Sequence, residues 1–269
     1  MSPPGRPKGE YRNRSAKHAG TPPRAAAGEG RSTMPYLVLG GIALAIAWGL
    51  YASGLGADIL RYRKDIVYLL KQHLVLVGVS GSFAIVAGVG IGIGLSRPAM
   101  ARWAEAAIQA VNMVTSIPTL AKLALMMTLL GIGALPAIVG LWIATLLPII
   151  RNTYEGIRAV PAHLVDAARG MGMGPGAILR RVELPNALFV MFAGVRTAMA
   201  VNVGTAPIAF LIGGGGLGEL IFTGIDLQEH GMMLAGAIPT ALLAVAVDFL
   251  FGLAQYWLVP RGVNPLRNF

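Results

Sequence analysis

Six stretches of this chain stay apolar for about twenty residues at a time, and that run length limits the folds open to it. A bilayer's hydrocarbon core is about 30 Å thick, and a helix rising about 1.5 Å per residue needs about 20 residues to cross it. Lipid offers no hydrogen bonds, so each run must satisfy its own backbone, which a helix does. The expected class is an all-α membrane protein with about six transmembrane helices. Composition agrees: 55% of the 269 residues are hydrophobic and only 13% charged, with a mean hydropathy of +0.65, too few charges to cover a water-soluble domain.

The runs are Met34–Ser53, Leu74–Leu95, about Glu105–Leu130, Leu135–Ile150, about Ala187–Ile212 and about Met232–Leu258. Residues 1–33 are rich in Arg, Lys, Pro, Gly and Ser without apolar period and read as a disordered basic tail. The first run exceeds the 7–15 residues of a signal-peptide core, so a retained span is expected. It forms one unit, 34–73, with a polar stretch at 58–73 that reads as a short interfacial helix. Glycines at 88, 90, 92 and 94 suit close packing of the second span. Pro118, in "TSIP", interrupts the third by removing a backbone donor. Residues 74–260 form the expected core, with a loop at 151–185, and 261–269 a short C-terminal tail.

The net charge of +10 is a question of topology before it is one of nucleic acid. With both termini inside, the inner segments hold sixteen Lys and Arg against four outside (Arg61, Arg63, Lys64 and Lys71). The positive-inside rule therefore places the tail and the 151–185 loop in the cytoplasm. There is no cysteine, and the four histidines lack metal-ligand spacing, so no metal site is expected. No Walker A or G-x-S-x-G motif is present. "GGGGLG" at 213–218 fits G-x-G-x-x-G formally, but it ends an apolar helix and reads as a turn or re-entrant bend. No cofactor is expected.

Ionisable residues inside spans are rare enough to be informative. Arg196 and Asp248 each lie about ten residues from the cytoplasmic end of their span, so they are expected to pair or to share a polar cavity. That pairing serves either structure or transport. Asn112, Thr115, Ser116, Asn202 and Thr205 are polar positions in apolar spans, either lining a solute route or bonding helices together. Lys122 has no evident partner in the sequence.

The polar island "LVDAARGMGMGPGAILRRVELPN", 164–186, divides into two short helices around a glycine hinge. Leu164, Ala167, Ala168 and Met171 fall on one face of the first. "AILRRVELP" makes the second, expected to end at Pro185. On spacing alone the island is either a docking element or a loop resting on lipid.

"DAARGMGMGPGAILRRVELP" resembles the cytoplasmic signature of the permease subunits of binding-protein-dependent ABC importers. That signature is Glu-Ala-Ala, three residues, Gly, nine residues, Ile, one residue, Leu-Pro. Asp166, Ala167, Ala168, Gly172, Val182, Leu184 and Pro185 hold the corresponding positions, with Asp for Glu and Val for Ile. "TSIPTLAKLAL", "GIGALPAIVGL", "GVRTAMAVNVGTAPIAFLIGGGGLG" and "AVDFLFG" are similar to the osmoprotectant branch, which carries glycine betaine, choline or carnitine. The resemblance covers about His73 to Pro260.

That resemblance implies a type I importer permease in the bacterial inner membrane, with 151–185 as a coupling-helix loop. It implies cytoplasmic ABC ATPase subunits docked on that loop and a periplasmic or lipid-anchored substrate-binding protein outside. A second permease subunit, identical or paralogous, would complete the pathway. The chain would be a transport subunit, not an enzyme, and any binding domain would be a separate chain. Alternatives are the same family with another amino-acid-like solute, an ATP-independent secondary transporter, and a membrane scaffold.

Overall fold

The computed structural model describes Gly41, Trp48, Gly49 and residues 59–264. The chain divides into two units, Met1–Gly49 and Leu50–Phe269. In the first, Gly41, Trp48 and Gly49 are helical. The basic tail and, apart from those three residues, the expected first span lie outside the described residues. The architecture below is that of the second unit.

Every regular element among the described residues is helical. The long helices are α1 (Arg63–Leu95), α2 (Ala101–Ser116), α3 (Thr119–Leu130) and α4 (Ala134–Arg158). Next come α5 (Ala162–Gly170), α6 (Pro175–Ile178), α7 (Leu184–Thr205), α8 (Gly218–Asp226) and α9 (His230–Leu258). A π-turn at Leu179–Glu183 fuses α6 to α7, and 3₁₀ turns at Ala206–Ile212 extend α7. Four runs are long and apolar enough to cross a bilayer: Arg63–Leu95, Ala134–Arg158, Pro175–Ile212 and His230–Leu258. The pair α2–α3, bent by 91°, makes a fifth if counted as one broken span.

Several boundaries differ from the sequence reading, each for a local reason. The polar stretch before the second span is no separate interfacial helix: from Arg63 it is continuous with the span, since no Gly or Pro interrupts 63–77. The fourth span runs on to Arg158, so the polar start of the loop is its last two turns. The second island helix does not end at Pro185. Proline is tolerated in the first turn of a helix, and the π-turn just before it hands the Leu184 N–H to the Leu179 carbonyl. The second island helix is thereby continuous with the fifth span.

The core lies where α1, α4 and α7 meet. Leu76, Ala84, Leu141, Ile149, Ala198, Met199 and Val203 form it. Gly88 and Gly92 let α4 approach α1: a Cβ on Gly88 would sit 2.8 Å from Ile149, and one on Gly92 2.6 Å from Thr153. Gly90 and Gly94 meet nothing within 4 Å, so only half of the expected glycine stripe is a packing surface. Arg61, Tyr62 and Glu229 draw the start of α1 to the chain before α9, with the Tyr62 hydroxyl donating to Glu229 at 2.7 Å.

Candidate functional site: a coupling arm, a broken span and an intramembrane ion pair

At one end of the bundle α5 projects between α4 and the π-turn. It buries Ala168 and half-buries Leu164 and Val165. The face read from sequence is split: Ala167 and Met171 point away from the protein together with Asp166, Met171 being 69% exposed. Among the described residues, the ion pair of Asp166 is with Arg169 of its own helix, at 3.2 Å. Gly172 has φ +78 and caps α5. Its N–H bonds the Arg169 carbonyl at 2.9 Å and the Met173 N–H bonds the Ala168 carbonyl at 3.1 Å. This pair of bonds is the Schellman arrangement, whose left-handed residue is normally glycine. The Gly172 hinge is thus a defined cap.

The arm is tied to the bundle by a contact the sequence did not reveal. Arg97, just after α1, pairs with Glu183 of the π-turn at 2.7 Å, the side chains 28% and 15% exposed. Arg97 also donates to the Ser96 hydroxyl at 2.8 Å. Val182, Leu184 and Pro185 are half-buried along the same arm. Asn186 donates to the Val182 carbonyl at 2.7 Å.

The break at Ile117–Pro118 frees carbonyls at the end of α2, where backbone partners are obligatory in lipid. Lys122, one turn into α3, reaches back and donates to the Thr115 carbonyl at 3.1 Å. It is buried, 6% exposed. A cation at a helix C-terminus also meets the negative end of the helix dipole. The lysine without an account in the sequence is the cap of a broken span. The neighbouring hydroxyls turn inward on their own helix: Thr115 and Ser116 both donate to the Asn112 carbonyl, at 3.0 and 2.8 Å. Asn112 and Ser116 are exposed in the single chain.

Arg196 and Asp248 meet. Nη2 donates to Oδ2 at 2.7 Å and Nε to Oδ1 at 3.1 Å, a bidentate pair between α7 and α9. Gln255, one face with Asp248, accepts from Arg196 Nη1 at 3.3 Å and donates to the Phe189 carbonyl at 3.0 Å. Asn202 lies elsewhere, fully buried, donating to Ser80 at 2.9 Å between α7 and α1. Thr205 donates to the Val201 carbonyl of its own helix at 2.8 Å. The five polar positions therefore do not form one cluster.

At the opposite end, Gly213, Gly215 and Gly216 have positive φ and make a tight turn into α8, a helix the sequence reading did not separate. The Gly216 N–H donates to Gln72 at 3.0 Å. A side chain on Gly215 would overlap Gln72.

A model of the family described as "Binding-protein-dependent transport system inner membrane component" matches residues 84–262. The chain belongs to that family. It is a multi-pass inner-membrane component of such a transport system. It is 49% identical over 82% of its length to the osmoprotectant import permease protein OsmY of Salmonella typhimurium, covering 94% of that protein. With the Bacillus subtilis glycine betaine/carnitine/choline transport system permease protein OpuCB it shares 36% identity over 76% of its length and 93% of the relative. An inward-facing structure of the MetNI methionine ABC transporter matches 72% of this chain and 96% of its own, with a TM-score of 0.65 and 26% identity. An amino acid ABC transporter crystallised with histidines matches at 0.61 and 19%, over 74% and 97% of the two chains, a likeness of fold. The permease fold is that of type I ABC importers.

Within this permease, Arg97, Glu183 and Gln255 were missed from sequence because each acquires its partner across the fold. Arg97 and Glu183 leave only their charge beside a span, and the neutral Gln255 only a polar position within one.

Proposed function

We propose that this chain is the permease of an ATP-driven importer for a compatible solute such as glycine betaine, choline or carnitine. Both termini lie in the cytoplasm, and 151–185 couples to partner ATPases. The observation that carries the coupling reading is the exposed face of α5. Asp166, Ala167 and Met171 point outward from a helix whose other side is packed and whose end is fixed by the Gly172 cap. A small, firmly held helix with a free face suits a partner protein, and the π-turn transmits its motion directly into the fifth span. Asp166, Ala167, Ala168, Gly172, Val182, Leu184 and Pro185 make up the coupling segment.

The solute class follows from relatives 36% to 49% identical whose names specify osmoprotectants, glycine betaine, carnitine and choline. A binding protein outside delivers it, and a second permease subunit completes the pathway. The deciding experiment is uptake by proteoliposomes holding the permease with its cognate ATPase and binding protein, using glycine betaine, choline, carnitine, methionine and histidine. ATP-dependent accumulation of one of the first three is expected. Accumulation that follows an ion gradient without the ATPase overturns the importer reading, and preference for methionine or histidine overturns the solute.

A further inference from the structure

The Arg196–Asp248 pair sits at a depth where a charge has few acceptable surroundings. Arg196 follows the start of α7 at Leu184 by about 18 Å of helix rise, and Asp248 precedes the end of α9 at Leu258 by about 15 Å. Both are near the middle of a hydrocarbon core about 30 Å thick. Yet the side chains are 34% and 44% exposed. A structural ion pair at that depth would be enclosed by the bundle, because hydrocarbon solvates neither group. This one is pinned from behind: Gln255 holds Arg196 Nη1, and the guanidinium lies against Gly252, where a Cβ would come within 3.3 Å. Its front is open.

The opening is a groove of about 440 Å³ lined by Ala193, Arg196, Thr197, Ala200, Val201 and Asp248. Small residues leave that space, and none of them closes it. Thr197 spends its proton on the Ala193 carbonyl at 3.0 Å, leaving the oxygen as an acceptor. The groove therefore offers a cation and an anion side by side, with no net charge.

We propose that this groove is a solute subsite within the membrane, and that its ligand class is a small zwitterion or organic cation. A cationic head group would lie against the Asp248 carboxylate, and a carboxylate on the same solute against the Arg196 guanidinium. This rests on the importer reading. A charge-neutral site holds a zwitterion by both ends and a simple cation by one, so the two residues divide the recognition between them.

The test uses the assembled transporter in proteoliposomes with saturating binding protein, comparing uptake of choline with that of glycine betaine. If the wild-type complex moves neither solute with ATP, it is the importer reading that fails. Given wild-type uptake, Asp248→Asn leaves net positive charge, and the choline-to-betaine rate ratio is expected to fall about tenfold, equivalent to ~1.4 kcal/mol. Arg196→Gln leaves net negative charge and the ratio is expected to rise. Opposite shifts are the signature, because a purely structural pair lowers both rates together. Ala193→Leu fills the groove without touching the pair, guarding against misfolded charge variants. It is expected to block uptake while assembly and ATP hydrolysis persist. Unchanged solute ratios in both charge variants, unchanged uptake in Ala193→Leu, or loss of permease–permease assembly in Ala193→Leu would overturn the subsite.

Discussion

The Lys122 ammonium donates to the Thr115 carbonyl across the Pro118 break, 3.1 Å apart and buried. A proline that frees a carbonyl in a membrane span and a lysine that answers it form one local device. Lys122→Gln keeps a donor near that carbonyl and Lys122→Met keeps only the bulk. The Met variant is expected to be less stable than the Gln variant by ~1–2 kcal/mol, the value of a buried hydrogen bond left unmade. Thermal inactivation of the purified complex measures it, and equal midpoints would remove the capping role.

Gly172 carries the only positive φ among the described residues of 162–185. Because a Cβ there meets nothing within 4 Å, the effect of substitution is backbone strain alone. A left-handed Ala costs ~1–2 kcal/mol, Asn less, and a β-branched residue more. Losses of ATPase co-purification and uptake are expected in the order Asn, Ala, Val. Gly170, Gly174 and Gly176 also face open space but lack positive φ, so Ala at each should be near neutral. A Gly172→Val protein with wild-type uptake would show that the cap is dispensable.

The Arg97–Glu183 pair joins the end of α1 to the π-turn at 2.7 Å. Both side chains are mostly buried, so removing one partner leaves the other poorly solvated. Glu183→Gln and Arg97→Gln are each expected to uncouple hydrolysis from uptake. A double-mutant cycle on uptake should give an interaction of at least ~0.5 kcal/mol. Strict additivity would show that the two groups act independently.

Gly90 and Gly92 are two residues apart on α1 but face different surroundings. A Cβ on Gly92 would press on Thr153 and on the Ile150 carbonyl at 2.8 Å, which cannot move without shifting α4. Overpacking of that kind costs ~1–3 kcal/mol. Gly90→Ala enters open space and gains helix propensity of up to ~1 kcal/mol. Thermal stability should therefore fall for Gly92→Ala and hold or rise for Gly90→Ala. The reverse order would mean that α1 is rotated relative to this packing.

By itself the sequence determined which segments are helices in lipid, because a spanning helix satisfies its backbone within its own run of residues. That is why five of the six expected spans fall on described helices or a bent helix pair. It also marked the island, whose charges cannot enter hydrocarbon, and the Pro118 interruption, which is a property of one residue. The depth of Arg196 and Asp248 could be counted along each helix, so their meeting was legible too. Tertiary structure decided whatever depends on a neighbour. Four glycines in alternation look alike until α4 is laid against two of them. Asn202 reads the same as Asn112 until Ser80 encloses one, while the other stays exposed among the described residues. Pro185 looks like a terminator until a π-turn carries the helix through it. Helix existence in a membrane is a local hydrogen-bond requirement; helix face, partner and exposure are set by which distant surfaces come into contact.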